Sequence, residues 1–310
     1  MSAAGSEGGS IRRPVWRGRA LWLALWLVLA GVLAYGASRI DWEQVSAALR
    51  QADPFWVFMA FLANLSALPL WGLALGRFIP PGEPQPYGRI VETLALTTAA
   101  TQTLSVFAGG ATAAVLLVRR VGLSTGAMIS TITLEQVTTG IVKSLIVGAA
   151  LSSALAPRSM QAAGALLMLA IFCAFTGLVW AAHSGPALHG IAARFGGRAG
   201  RLITLLADWT AHLETLRRPG RLAAGIGFTA GRRLMEGMGV LCIQRACGIA
   251  VSPELALLII AALSLATIIP GPPGNMGIFE AAVVVAYGWA GIGAETAVAA
   301  ALLQHAAYLA

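Results

Sequence analysis

Runs of apolar residues long enough to cross a bilayer recur through this chain, and they constrain its fold more than any motif does. A hydrocarbon core of ~30 Å is spanned by about 20 helical residues. Residues 21–37, 55–78, 127–150, 161–182 and 222–244 reach or approach that length. Inside lipid every backbone N–H and C=O must find a partner within the protein, which favours helices. Composition points the same way. Hydrophobic residues make up 57% of the 310 residues and charged residues 11%, against about 25% charged in a soluble domain. The chain therefore reads as an all-α, polytopic helical membrane protein. A soluble enzyme, a nucleic-acid-binding domain and a secreted disulfide scaffold are excluded. Cys173, Cys242 and Cys247 form no CxxC pair and fall in or beside apolar segments, so they read as small buried hydrophobes.

The net charge of +8 comes from 21 basic against 13 acidic residues, and 20 of the bases are Arg. Their distribution sets the expected orientation, because basic residues collect on cytoplasmic loops. Arg12, Arg13, Arg17 and Arg19 precede the first span, so residues 1–19 form a basic, cytoplasmic N-terminus and residues 20–310 a single transmembrane domain. That first span reads as an uncleaved signal anchor. Residues 41–54 are expected as a short interfacial helix outside, and Pro69 as a kink in the second span. Residues 183–221 carry a helical stripe through Leu202, Leu205, Leu206, Trp209, Leu213 and Leu216, the pattern of an amphipathic helix on the cytoplasmic surface. With these assignments the cytoplasmic segments hold 14 Arg and five acids, the external ones four Arg and five acids.

Two segments do not fit full spans. The apolar run from Val91 is expected to break at Gly109-Gly110 and end at Arg119-Arg120. The run from Glu254 is expected to break at Pro270-Gly271-Pro272-Pro273-Gly274. Each reads as a re-entrant helical hairpin, the first entering from the cytoplasm and the second from outside. Aligning Gly122 with Gly291, an offset of 169, makes residues 91–150 and 254–310 two copies of one plan, with Glu135 opposite Gln304. The fold expected is thus about six full spans plus two oppositely oriented hairpins, an inverted repeat of the kind transporters use. The competing reading is that these glycines serve tight helix packing.

Six charges remain inside the spans: Lys143, Arg232, Arg233, Glu135, Glu236 and Glu280. Each costs a few kcal/mol at the bilayer centre on insertion scales, so each needs a partner or a task. Glu236 lies four residues from Arg232 and three from Arg233, on one helix face. One acid does not neutralise two arginines. Either an anionic head group completes the balance, for which Arg suits phosphate, or Glu135 or Glu280 does. Glu280 falls in the first turn of a half-helix, where the dipole favours an acid. The exposed N–H groups there, near Gly271, Gly274 and Gly277, are a second candidate phosphate site. Lys143 is expected to snorkel to the outer interface, and His305 to be structural. No P-loop, HExxH or GxSxG motif is present, and no metal or cofactor is expected.

The segment GPPGNMGIFE at residues 271–280 resembles the "PGGxGxFE"-like motif of the flippase-like membrane family related to the transmembrane domain of lysylphosphatidylglycerol synthase. Weaker likeness extends through ADPFW at residues 52–56, RRVGLS at 119–124 and TITLEQ at 131–136. The resemblance implies a lipid translocase of the bacterial inner membrane, without the soluble synthase domain. This chain departs from the family at Ala111 and Ala114, where members often carry an acid and an Arg. Gln136 and Thr139 stand where members have Arg and Asp, and His305 where an Arg is common. The substrate-binding residues expected are Arg232, Arg233, Glu236, Glu280, Gly271, Gly274, Gly277 and Glu135. The expected substrate is an anionic or aminoacylated phospholipid or a polyprenyl-phosphate-linked lipid. Candidate protein partners are a second copy of the chain and a separate lipid-synthesising enzyme; nucleic acid is not expected. The rival functions are a glycosyltransferase-like membrane enzyme and an accessory subunit of a lipid-synthesis complex.

Overall fold

The structure, a computed structural model, describes residues 31, 34–36, 38–153, 155, 157–192, 218–267 and 272–309. The basic N-terminus, most of the first expected span, Gly271 and the stripe at 202–216 lie outside the described residues. Residues 1–41 and 42–310 are separate units, and the second carries the polar residues of interest.

Ten α-helices make up this second unit among the described residues: α1 Trp42–Gln51, α2 Pro54–Phe78, α3 Tyr87–Thr103, α4 Val106–Leu116, α5 Thr125–Leu151, α6 Arg158–Ala192, α7 Pro219–Ala246, α8 Pro253–Ala266, α9 Ile278–Trp289 and α10 Ala294–Leu309. No strand occurs among them. The starts are written in the local sequence. The Asp53 carboxylate accepts from the N–H of Phe55, and the Ser105, Ser124 and Ser252 hydroxyls accept from the N–H groups of Ala108, Ala127 and Leu255. Each satisfies a donor that a helix start leaves orphaned. Pro54 and Pro253 occupy the first turn, where a missing N–H costs nothing.

Helices α2, α5 and the 160–177 part of α6 are long and apolar enough to cross a membrane. Their outward surfaces are apolar: Phe58, Leu65, Leu145, Leu166 and Phe172 are all exposed. Helix α7 has 28 residues, about 42 Å at 1.5 Å per residue, but carries Arg232, Arg233 and Glu236 along its middle.

The α2–α7 pair forms the spine of the unit. Three layers recur at seven-residue spacing on both helices, in antiparallel register. Gly225 faces Phe78, Arg232 lies over Trp71, and Gly239 faces Asn64. A seven-residue repeat keeps one stripe turned toward a partner helix. The two glycines let the backbones close in: a Cβ on Gly225 would stand 2.3 Å from Phe78 Cε1, and one on Gly239 2.5 Å from Asn64 Nδ2.

Helices α3 and α4 pack on each other, α8 packs on α5 and α9, and α10 packs on α9, α1 and α2. The largest buried cluster lies among α7, α8, α9 and α10, around Ile243, Ile259 and Tyr287. The expected break at Gly109-Gly110 is not there. The chain turns at Leu104-Ser105 instead, and α4 runs unbroken through both glycines. Gly109 is a packing residue: a Cβ on it would stand 1.8 Å from Thr101 Oγ1 on α3. Helix α4 ends in a π turn, Leu117–Val121, stopped by Gly122 at φ 90°, a conformation glycine adopts without penalty. Helix α6 runs past the end of the expected span at residue 182, to Ala192. Cys173 is exposed on α6 rather than buried, because α6 packs mainly against one neighbour, α5.

Positions paired by the offset of 169 share local features. Gly122 and Gly291 are both left-handed, at φ 90° and φ 76°. The helices that follow start at Thr125 and Ala294, in register with the offset. Glu135 and Gln304 are both buried.

Candidate functional site

Arg232, in the middle layer of the spine, is the hub of a buried polar network. Its guanidinium lies 4.1 Å from the centre of the Trp71 ring, a cation–π contact strengthened by desolvation. Its Nε is 3.3 Å from Glu236 Oε1, and its Nη1 is 4.0 Å from Glu135 Oε1. Arg233 Nη1 donates to Glu236 Oε2 at 2.5 Å. None of these four charged side chains is more than 14% exposed. Charges so placed are tolerated only with close partners and further hydrogen bonds.

Glu135 is held by neutral donors as well. Trp71 Nε1 donates to Oε1 at 3.0 Å, Thr139 Oγ1 to Oε1 at 3.2 Å, and Gln136 Nε2 to Oε2 at 2.9 Å. Gln136 and Thr139, two of the departures from the family pattern, thus serve as uncharged donors to Glu135.

The network faces a cavity of about 350 Å³. Its polar wall comes from Glu135, Gln136, Thr139 and Lys143 on α5, Arg232, Arg233 and Glu236 on α7, and Asn64 and Trp71 on α2. Asn275, Gln304 and Tyr308 close another side. A second cavity, about 440 Å³, shares Asn64, Trp71, Arg232, Glu236 and Tyr308 with the first. It is otherwise lined by Thr98, Thr101 and Gln102 of α3 and by apolar residues such as Leu65 and Leu68. Ala111, Ala114 and His305, the other three departures, line neither cavity. Lys143 does not snorkel as expected. It lines the first cavity, because Glu135, Thr139 and Lys143, four residues apart, share one face of α5.

Glu280 stands apart from this network. Its Oε2 accepts from the N–H of Gly277 at 2.7 Å, capping α9, and its Oε1 lies 2.6 Å from His305 Nδ1 on α10. The other ring nitrogen, Nε2, lies 2.9 Å from the Gly274 carbonyl, and Phe279 stacks on the ring at 4.4 Å. Gly274 and Gly277 hold left-handed conformations at φ 67° and φ 81°, which a side chain would strain. Glu280, Gly274 and Gly277 therefore build a latch between the broken segment and the last helix, and none of them lines either cavity. The N–H of Gly277 is spent on Glu280.

Of the expected site residues, Glu135, Arg232, Arg233 and Glu236 come together, while Glu280, Gly274 and Gly277 form a separate group around His305. Sequence reading missed Trp71, Lys143, Asn64 and Tyr308. The signal for two of these was present: Asn64, Trp71 and Phe78 share the seven-residue spacing of Gly225, Arg232 and Gly239. Among the described residues, no three metal-ligating side chains converge.

No curated protein and no solved structure matches this sequence. Residues 21–310 match the family model of the lysylphosphatidylglycerol synthase TM region. A polytopic helical unit with a buried polar network at its centre accords with that match, and the chain belongs to this family of membrane proteins.

Proposed function

We propose that the chain is a lipid translocase of the bacterial inner membrane, with its N-terminus in the cytoplasm. It would move an anionic or aminoacylated phospholipid, or a polyprenyl-phosphate-linked lipid, between leaflets. The observation that carries this reading is the basic cavity at the α2–α7 spine, walled by Lys143, Arg232 and Arg233 inside an apolar helical bundle. A polar chamber of this kind lowers the cost of taking a head group through hydrocarbon, which is the barrier to leaflet exchange. The adjoining cavity, mostly apolar with a few hydroxyls, offers room beside it for the start of the lipid's apolar part. The repeated plan of the two halves supports the reading, since transporters place binding sites where such repeats meet. The hairpins α3–α4 and α8–α9 would be the oppositely inserted pair.

The test is reconstitution of the full chain in vesicles with head-group-labelled lipids, reading the labelled fraction that becomes accessible from outside. Protein-dependent exchange that falls in Arg232→Gln is expected. Exchange no faster than in protein-free vesicles for every lipid class named would refute the proposal.

A further inference from the structure

The charge balance of the cavity narrows the substrate class. This step rests on the translocation reading for its assumption that the ligand is a lipid. Three bases, Lys143, Arg232 and Arg233, face the first cavity with two acids, Glu135 and Glu236. Both acids are engaged by the protein's own donors: Glu236 by the two arginines, Glu135 by Trp71, Gln136 and Thr139, with Arg232 beyond. Lys143 has no carboxylate within 4.0 Å among the described residues. Arg233 Nε is buried with no hydrogen-bond partner there. The surplus in the cavity is one positive charge, with donors to spare.

We infer that the cavity takes a phosphodiester lipid with one negative charge and an uncharged, hydroxyl-bearing head group, and that it discriminates against aminoacylated lipids. One phosphodiester anion brings the cavity to three charges of each sign. A lysyl ester on the same phosphate adds two ammonium groups and finds no acid left to receive them. A zwitterionic head group leaves the surplus unneutralised. The remaining polar wall suits hydroxyls: Gln304 Oε1 is buried without a donor, and Asn64 and Asn275 stand on the same lining. Lys143 supplies the discriminating charge, since each arginine is already shared with an acid.

Native mass spectrometry of the purified full chain tests this. The probes are phosphatidylglycerol, phosphatidylethanolamine, lysylphosphatidylglycerol and inorganic phosphate, in pairwise competition. Phosphatidylglycerol should be retained about tenfold over each of the other lipids, the worth of one charge-assisted contact. Lys143→Met should bring those ratios close to one, and Lys143→Arg should keep them. Both variants should elute and melt like the parent, since neither breaks an ion pair. Retention of lysylphosphatidylglycerol equal to or above phosphatidylglycerol, or ratios unmoved by Lys143→Met, would overturn the inference. Inorganic phosphate that displaces the lipid at equal concentration would overturn the lipid as the source of the anion. Vesicle exchange separates this from the broader proposal. Selective binding without exchange overturns translocation and leaves the head-group inference standing. Exchange indifferent to head group and to Lys143→Met does the reverse.

Discussion

Replacing Gly225 by Ala tests the spine on which the polar network is mounted. The new Cβ would sit 2.3, 2.7 and 3.1 Å from three ring atoms of Phe78, where carbon pairs prefer about 3.5–4.0 Å. Phe78 is fully buried, so its ring moves only by displacing neighbours, and overpacking of this kind costs ~1–3 kcal/mol. Alanine also gains about 1 kcal/mol over glycine in a helix, which partly hides the clash. Gly227→Ala removes that ambiguity. Gly227 lies two residues along the same helix with nothing within 4 Å of its ideal Cβ, so it carries the helix gain without the clash. Gly225→Ala should therefore fall below Gly227→Ala by ~1–3 kcal/mol. Unfolding of the full chain by SDS in mixed micelles, followed by far-UV circular dichroism, reads the difference as a shift in midpoint. Phe78→Leu should be less costly in the Gly225→Ala background than alone, because neighbouring sites couple. Equal midpoints for the two alanine variants would refute the close approach of α2 and α7 and the register drawn from it.

Three other substitutions probe the network, the hairpin turn and the broken segment. Trp71→Phe keeps a ring beneath Arg232 but removes the Nε1–H that Glu135 accepts; a loss of about 1.5 kcal/mol or more is expected in the same titration, and no loss would show the bond to be idle. Ser105→Ala removes the cap at the α3–α4 turn and should cost ~1 kcal/mol, with Ser105→Asp restoring most of it. Gly274→Ala forces a side chain into φ 67° and should cost ~1–2 kcal/mol, read as faster proteolysis of the segment between α8 and α9.

What the sequence made legible was whatever one helix decides by itself. Arg232, Arg233 and Glu236 pair because three- and four-residue separations place them together on any helix. Glu280 caps α9 because an acid in a first turn meets free N–H groups. The helix starts at Ser124, Ser252 and Asp53 carry their caps in the local sequence. Tertiary choices were not legible. Lys143 has the reach either to snorkel or to face a cavity, and only the packing of α5 against α7 decides it. Gly109-Gly110 reads as a break in isolation, yet with α3 close by, Gly109 is where two helices touch. Glu280 and His305 lie 25 residues apart on different helices, so no local pattern announces their contact.

His305 has a consequence of its own, since it stands where the resemblance leads one to expect an arginine. Both of its ring nitrogens face oxygens, Nδ1 toward Glu280 at 2.6 Å and Nε2 toward the Gly274 carbonyl at 2.9 Å. A carbonyl only accepts, so Nε2 carries one proton, and the contact with Glu280 needs a second, on either Nδ1 or the carboxyl oxygen. With both present, histidine and glutamate together are neutral. One flat ring thus ties the cap of α9, the Gly274 carbonyl and the last helix together, with Phe279 stacked on its face.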